Sequence, residues 1–191
     1  DAVLFFGGLD PSQEGEGFDR VGGTIELPGK QKRLLERIVA VNTSLVGTIF
    51  SGGICGVNES IGNLRGLLYA FYPGQEGGRA VAEILFGVYN PGGKLPVTMP
   101  RSTSQLPPWN DNLNDDYGGG YRWFDAQILM PEFAFGFGLS YTTFAYSAFS
   151  LTPTPAALGR PVSVSVDVTN TGARAGEEVV QLYITKTVGA M

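Results

Sequence analysis

Three short apolar runs, Ala2 to Phe6, Leu45 to Phe50 and Leu64 to Phe71, lack polar alternation and are bounded by glycine or proline. A strand with one wet face needs a polar residue at every second position, so runs like these belong to strands covered on both faces. That is the usual state of a parallel sheet. Parallel strands need crossovers, and the sequence supplies them. Between the first two runs, Leu34, Leu35, Ile38 and Val41 recur at helical spacing after Leu27-Pro28-Gly29, with the proline near the helix start. After the third run, Gly77-Gly78 precede a second helix over residues 80–86, where Val81, Ile84 and Leu85 share a face before Gly87 closes it. The fold class expected is α/β: part of an open, mainly parallel α/β sandwich over residues 1–100.

From Asn90 the composition turns to proline, glycine, asparagine, aspartate and aromatics with no sustained period. Residues 101–143 therefore read as an ordered connecting segment, long enough to be expected to wrap other parts of a larger molecule. Further on, Val162, Val164, Val166 and Val168 alternate strictly with polar residues, and Val180, Leu182 and Ile184 repeat the habit after a turn at Gly172 to Gly176. These predict half-buried antiparallel strands. A fibronectin-type sandwich needs about seven strands in roughly 100 residues, so residues 144–191 are expected to hold part of one. Three strands with two helices cannot cover both faces of an open layer either, so both ends of the chain read as cuts through domains.

Thirteen basic and eighteen acidic residues give a formal charge of -5, without the basic run that nucleic acid requires. No apolar stretch reaches the roughly 18 residues that span a bilayer, and any signal peptide is expected to lie elsewhere. The absence of histidine and the single cysteine, Cys55, exclude Ser-His-Asp and Cys-His catalysis, a Cys/His zinc site and an intrachain disulfide. Cys55 reads as a small buried residue. No cofactor or metal is expected, and chemistry, if present, rests on carboxylates. Two N-x-[ST] sequons, at Asn42 and Asn58, would accept glycans in a eukaryotic secretory pathway.

The first apolar run opens into a glycine-rich loop, residues 7–20, holding Asp10, Glu14, Glu16, Asp19 and Arg20. Ligands of α/β sheets bind beyond the carboxyl ends of the strands. The loop lacks GxGxxG and GK[ST], and its acids would repel a phosphate. Acids flanked by glycine can instead approach a neutral sugar, and breaking a glycosidic bond needs one carboxylic acid to protonate the leaving oxygen. Glu14 and Glu16 are the candidates; two residues apart on an extended loop, they would share a face, and mutual repulsion would help keep one protonated. Asp19 and Arg20 read as ion-pairing residues that fix the loop. The competing reading of the same pattern is a solvated surface loop. Trp109, Tyr117, Tyr121 and Trp123 read either as packing residues or as the lining of a leaving-group subsite.

The series Glu14-Gly15-Glu16-Gly17-Phe18-Asp19-Arg20, Leu27-Pro28-Gly29-Lys30-Gln31, Tyr72-Pro73-Gly74-Gln75-Glu76-Gly77-Gly78, Asn90-Pro91-Gly92-Gly93-Lys94-Leu95-Pro96-Val97-Thr98, Gly120-Tyr121-Arg122 and the run from Phe135 to Phe144 resembles glycoside hydrolase family 3 in content and order. Val168 to Gly172 and Gly176 to Tyr183 are similar to the start of its fibronectin type III-like domain. The resemblance implies a secreted, retaining, exo-acting β-glucosidase or β-xylosidase, built from a (β/α)8 barrel, an α/β sandwich and often a fibronectin-type domain. It also implies an aspartate nucleophile on the barrel and an acid/base glutamate on the sandwich loop. That role carries over to Glu16, which best fits the family's Glu-Gly-x-Asp-Arg pattern, with Glu14 the runner-up. The expected partners are a glycoside substrate and the barrel, which these residues do not include. The alternative is a non-catalytic scaffold or carbohydrate-binding component of a larger assembly. On the enzyme reading, this section alone is inactive.

Overall fold

The computed structural model describes residues 1–15, 20, 23–108, 119–155, 157 and 159–184, without the side chains of Asn58 and Glu59. Compactness divides the chain into two units, each assembled from separate stretches: residues 1–83 with 95–137, and residues 84–94 with 138–191. Most of the expected connecting segment thus packs within the first unit.

The first unit is built on a parallel sheet of β1 (Val3–Gly8), β2 (Leu45–Phe50) and β3 (Leu64–Tyr69), in the order β1-β2-β3. The three apolar runs form these strands. The register pairs Val3 with Leu45 and Gly8 with Phe50, and on the other side Gly47 with Leu67 and Ile49 with Tyr69. The crossover from β1 to β2 contains α1 (Lys30–Val39). Of the four residues at helical spacing, Leu35 is buried and Ile38 packs against the core. Leu34 lies exposed and Val41 falls beyond the helix end, also exposed. The core joins Phe5, Leu9, Leu27, Leu35, Leu45, Ile49, Cys55 and Val57 on one face of the sheet.

Burial on both faces, expected from the apolar runs, is met only in part. On β1, Phe5 is buried, whereas Leu4 and Phe6, pointing to the opposite face, are 41% and 54% exposed. On β2, Val46 and Phe50 of that second face are half-buried, whereas Thr48 between them is buried. The sequence pattern thus reports what the strands are suited to pack against, while the described residues cover the second face at the central strand and leave it open at β1.

The second helix, α2 (Gly77–Leu85), starts three residues earlier than its apolar face suggests, and Gly87 closes it at φ 72, donating its N–H to Ile84. The segment read as irregular contains a helix, α3 (Gly120–Ala126), too short to show a period. Its Phe124 is buried, and the Trp123 indole N–H donates to the Gln105 carbonyl at 3.0 Å. Met99 bridges Phe133, and the Phe133 and Phe137 rings stack at 4.9 Å.

The second unit contains an antiparallel pair, β4 (Phe144–Thr152) and β5 (Ser163–Asn170), with Phe144 opposite Asn170. The valine alternation correctly places β5. The segment Val180 to Ile184 alternates equally well but forms no strand among the described residues, and Val180, Leu182 and Ile184 are 51%, 62% and 93% exposed. Alternation marks a strand's suitability for a sheet; the ladder hydrogen bonds must come from a neighbouring strand. This unit is tied by a shielded ion pair between Lys94 and Glu178 at 3.1 Å, with the Tyr146 hydroxyl donating to Glu178 at 2.8 Å.

Candidate functional site

The acidic loop leaves the carboxyl end of β1 through a tight junction. The side-chain amide of Gln31, on α1, accepts from the Gly8 N–H and donates to the Gly8 carbonyl, both at 2.8 Å, so it pairs with the end of β1 as a neighbouring strand would. Leu9 N–H donates to Phe50 O at 2.8 Å. A Cβ on Gly8 would lie 1.8 Å from that same carbonyl oxygen, so the close approach itself demands glycine.

Beyond this root the chain makes one turn. Asp10 Oδ1 accepts from the Ser12 N–H at 2.8 Å and from the Ser12 hydroxyl, bonds that lower its carboxyl below the ordinary aspartate range. The N–H groups of Gln13 and Glu14 return to the Asp10 carbonyl at 2.9 and 3.1 Å. The turn delivers Glu14 to the carboxyl ends of β2 and β3, where its side chain is only 17% exposed. Its Oε1 accepts from the Gly52 N–H and from the Tyr72 hydroxyl, and Arg20 Nη2 donates to Oε2 at 3.1 Å. Arg20 uses its other arm on the Ile54 carbonyl. Burial disfavours the charge on Glu14, but the Tyr72, Gly52 and Arg20 bonds outweigh it and hold the carboxyl below its usual value. The same contact raises the Tyr72 phenol. Glu14 is therefore fixed as an ionised acceptor, the form opposite to that of a resting proton donor.

Residues 16–19 lie outside the described residues, and with them Glu16 and Asp19. Arg20 forms the expected loop-fixing ion pair, and its partner is Glu14. Trp109 and Tyr117 also lie outside the described residues; Tyr121 stacks obliquely with Phe135 at 5.4 Å, and Trp123 is half-buried. Cys55 is fully buried and burial pushes its thiol up to about 11, as suits a packing residue. Among the described residues no group of three or more Cys, His, Asp or Glu side chains could hold a metal ion, and no helix is long and apolar enough to cross a membrane. A cavity of about 90 Å³, lined by Glu26, Lys32, Val57 and Arg101 among others, is smaller than ordinary ligand pockets and does not include Glu14.

Sequence reasoning missed the contacts of Gly52 and Tyr72 with Glu14. The Tyr-Pro-Gly signal at a strand end indicates a turn, and only the folded sheet places the phenol over a carboxylate 58 residues earlier.

Residues 1–141 match the model of the Glycosyl hydrolase family 3 C-terminal domain. The chain is 40% identical to a xylan 1,4-beta-xylosidase of Xylanibacter ruminicola, over 95% of this chain and 21% of that protein. It is 36% identical to a beta-glucosidase of Bacteroides ovatus, over 96% of this chain and 26% of that protein. Among solved structures it resembles the GH3 beta-glucosidase of Bifidobacterium adolescentis, with TM-score 0.77 and 35% identity over 90% of this chain and 26% of that one. Beta-glucosidase 3B of Thermotoga neapolitana gives a TM-score of 0.78 at 30% identity, over 92% of this chain and 26% of that one. The chain thus spans about a quarter of the length of these relatives.

Proposed function

Because the chain belongs to glycosyl hydrolase family 3, carrying the C-terminal domain of that family over residues 1–141, we propose that it is the acid/base-bearing section of a retaining, exo-acting β-glycosidase that releases terminal β-linked glucose or xylose. Residues 144–191 begin the fibronectin type III-like domain of the same protein. The observation that supports the reading is the anchoring of Glu14 and Arg20, described residues on either side of Glu16, at the carboxyl ends of the parallel strands, where α/β sheets bind ligands.

In this mechanism Glu16 is the proton donor. Its carboxylic acid protonates the glycosidic oxygen as the bond to the anomeric carbon breaks, while an aspartate of the barrel attacks that carbon from the opposite face. The Glu16 carboxylate then takes a proton from water, whose oxygen displaces the aspartate and releases the sugar with its configuration retained. Retention requires the two carboxyl groups about 5 to 5.5 Å apart, so the barrel must supply the facing wall of the cleft. With Glu14 held ionised, Glu16 is the better donor of the pair.

The test is made on the full-length protein with aryl β-glucosides and β-xylosides. Glu16→Ala is expected to lower kcat/KM on a phenyl glycoside about 100-fold or more, the scale of general acid catalysis. On a 2,4-dinitrophenyl glycoside, whose leaving group needs no proton, added azide should attack the glycosyl-enzyme without help from a base, raise turnover and yield the β-glycosyl azide. Undiminished phenyl glycoside hydrolysis by Glu16→Ala would reject the assignment. Absence of all glycosidase activity in the native protein would favour the scaffold reading.

We further propose that the protein is exported and, in a eukaryotic pathway, glycosylated at the Asn42 and Asn58 sequons. The Asn42 side chain is half-buried and accepts from the Ser44 N–H at 2.7 Å, so its sequon forms a surface turn.

A further inference from the structure

Glu14 and Arg20 flank five residues, Gly15 to Asp19. Fully extended, the six steps from one to the other would span about 20 Å. Their side chains instead meet at 3.1 Å, both less than one-fifth exposed, so the two residues that bound the segment are drawn together at a neck. Both flanks also grip the turn after β2: Gly52 N–H donates to Glu14, and Arg20 donates to Ile54 O. The turn after β3 adds the Tyr72 hydroxyl.

Three features indicate that this neck is built for position. Tyr72 is 56% exposed, so its ring contributes little to the core and its defining contact is the hydroxyl on Glu14. Phe71, just before it, takes φ 51, a conformation a bulky residue adopts only when its surroundings impose it, and here it precedes the residue that holds Glu14. At Gly52 a Cβ would lie 2.9 Å from both Glu14 Oε1 and the Tyr72 ring, so the carboxylate, the phenol and the glycine occupy one close-fitted space.

We propose that Glu14, Arg20 and Tyr72 are positioning residues for the proton donor: they close and orient the loop that carries Glu16, and they act through its backbone without touching the sugar. The proposal rests on Glu16 being the donor. A donor displaced by about 1 Å loses much of its effect, and the loss falls where protonation matters most. A 2,4-dinitrophenolate leaves without help, whereas a phenolate or a sugar alkoxide needs the proton as the bond breaks.

The experiment compares Tyr72→Phe, Glu14→Gln and Arg20→Lys in the full-length protein on phenyl and 2,4-dinitrophenyl glycosides of the preferred sugar, with circular dichroism melting to verify folding. Tyr72→Phe and Glu14→Gln are expected to lower kcat/KM at least 10-fold more on the phenyl than on the dinitrophenyl substrate. Arg20→Lys, which keeps the charge but cannot reach both partners, should fall between them and the native protein. An equal loss on both substrates, or none, in the folded variants would overturn the proposal, as would azide rescue of Glu14→Ala in place of Glu16→Ala, which makes Glu14 the donor itself. Phenyl glycoside turnover undiminished in Glu16→Ala would instead remove the underlying assignment. Should Tyr72→Phe fail to fold, Arg20→Lys and Glu14→Gln decide the matter by the same split between substrates.

Discussion

A carboxylate with three donors around it has a definite pH signature. Glu14 accepts from Gly52, Tyr72 and Arg20, and its carboxyl is held below the ordinary glutamate value. A depressed folded-state pKa means that the stabilisation is fully present above about that value and is lost as pH falls through the lower, folded one. Glu14→Gln keeps the shape and removes the charge. We expect it to lower the thermal midpoint of the full-length protein at pH 7, by an amount corresponding to on the order of 1 kcal/mol for a largely shielded charged hydrogen bond. The gap between variant and native protein should narrow when both are melted near pH 3. A gap that stays constant with pH would show that the contact is not ionic. Glycine at position 52 follows from the same geometry, since any side chain there meets Glu14 and Tyr72 at once.

At the level of elements, the loop depends on how β1 ends. Gln31 is the second residue of α1, yet its side chain pairs with both polar backbone groups of Gly8. The Leu-Pro-Gly-Lys-Gln motif thus does two things: Pro28 and Gly29 start the helix, and Gln31 caps the neighbouring strand. Gln31→Leu would leave the Gly8 N–H and carbonyl without their partner in a partly buried place. The cost is about 2 kcal/mol, and the loop root should loosen with it. Hydrogen exchange on the full-length protein should show faster exchange of the Gly8 and Leu9 amides in that variant; unchanged protection would mean that the Phe50 carbonyl alone secures the junction. The motif was visible in the sequence as a helix start. Its second role was hidden, because a glutamine does not announce which backbone it will pair with across 23 residues.

For the whole molecule, the two compact units are each assembled from separate stretches, and the chain spans about a quarter of its relatives. A glycosidase of this family works only when the donor loop faces a nucleophile, so activity is proposed for the full-length protein. Export is tested at the same scale. Expressed in a yeast secretory host, the protein should shift on a gel after endoglycosidase treatment, and Asn42→Gln should remove part of that shift. A preparation insensitive to the endoglycosidase would count against modification at either sequon.

The sequence by itself determined the parallel strands, their crossover helix, the β5 valine strand and the family, because these depend on local apolar pattern and on motifs in fixed order. It also singled out the acidic loop, through glycine spacing and the Glu-Gly-x-Asp-Arg match. Only the tertiary structure decided that Glu14 is an ionised anchor rather than a free acid, that Tyr72 and Gly52 hold it, and that Val180 to Ile184 forms no strand among the described residues. The reason is physical: patterns record what a residue is suited to bury, whereas the charge state of a carboxylate and the pairing of a strand depend on donors that arrive from distant parts of the chain.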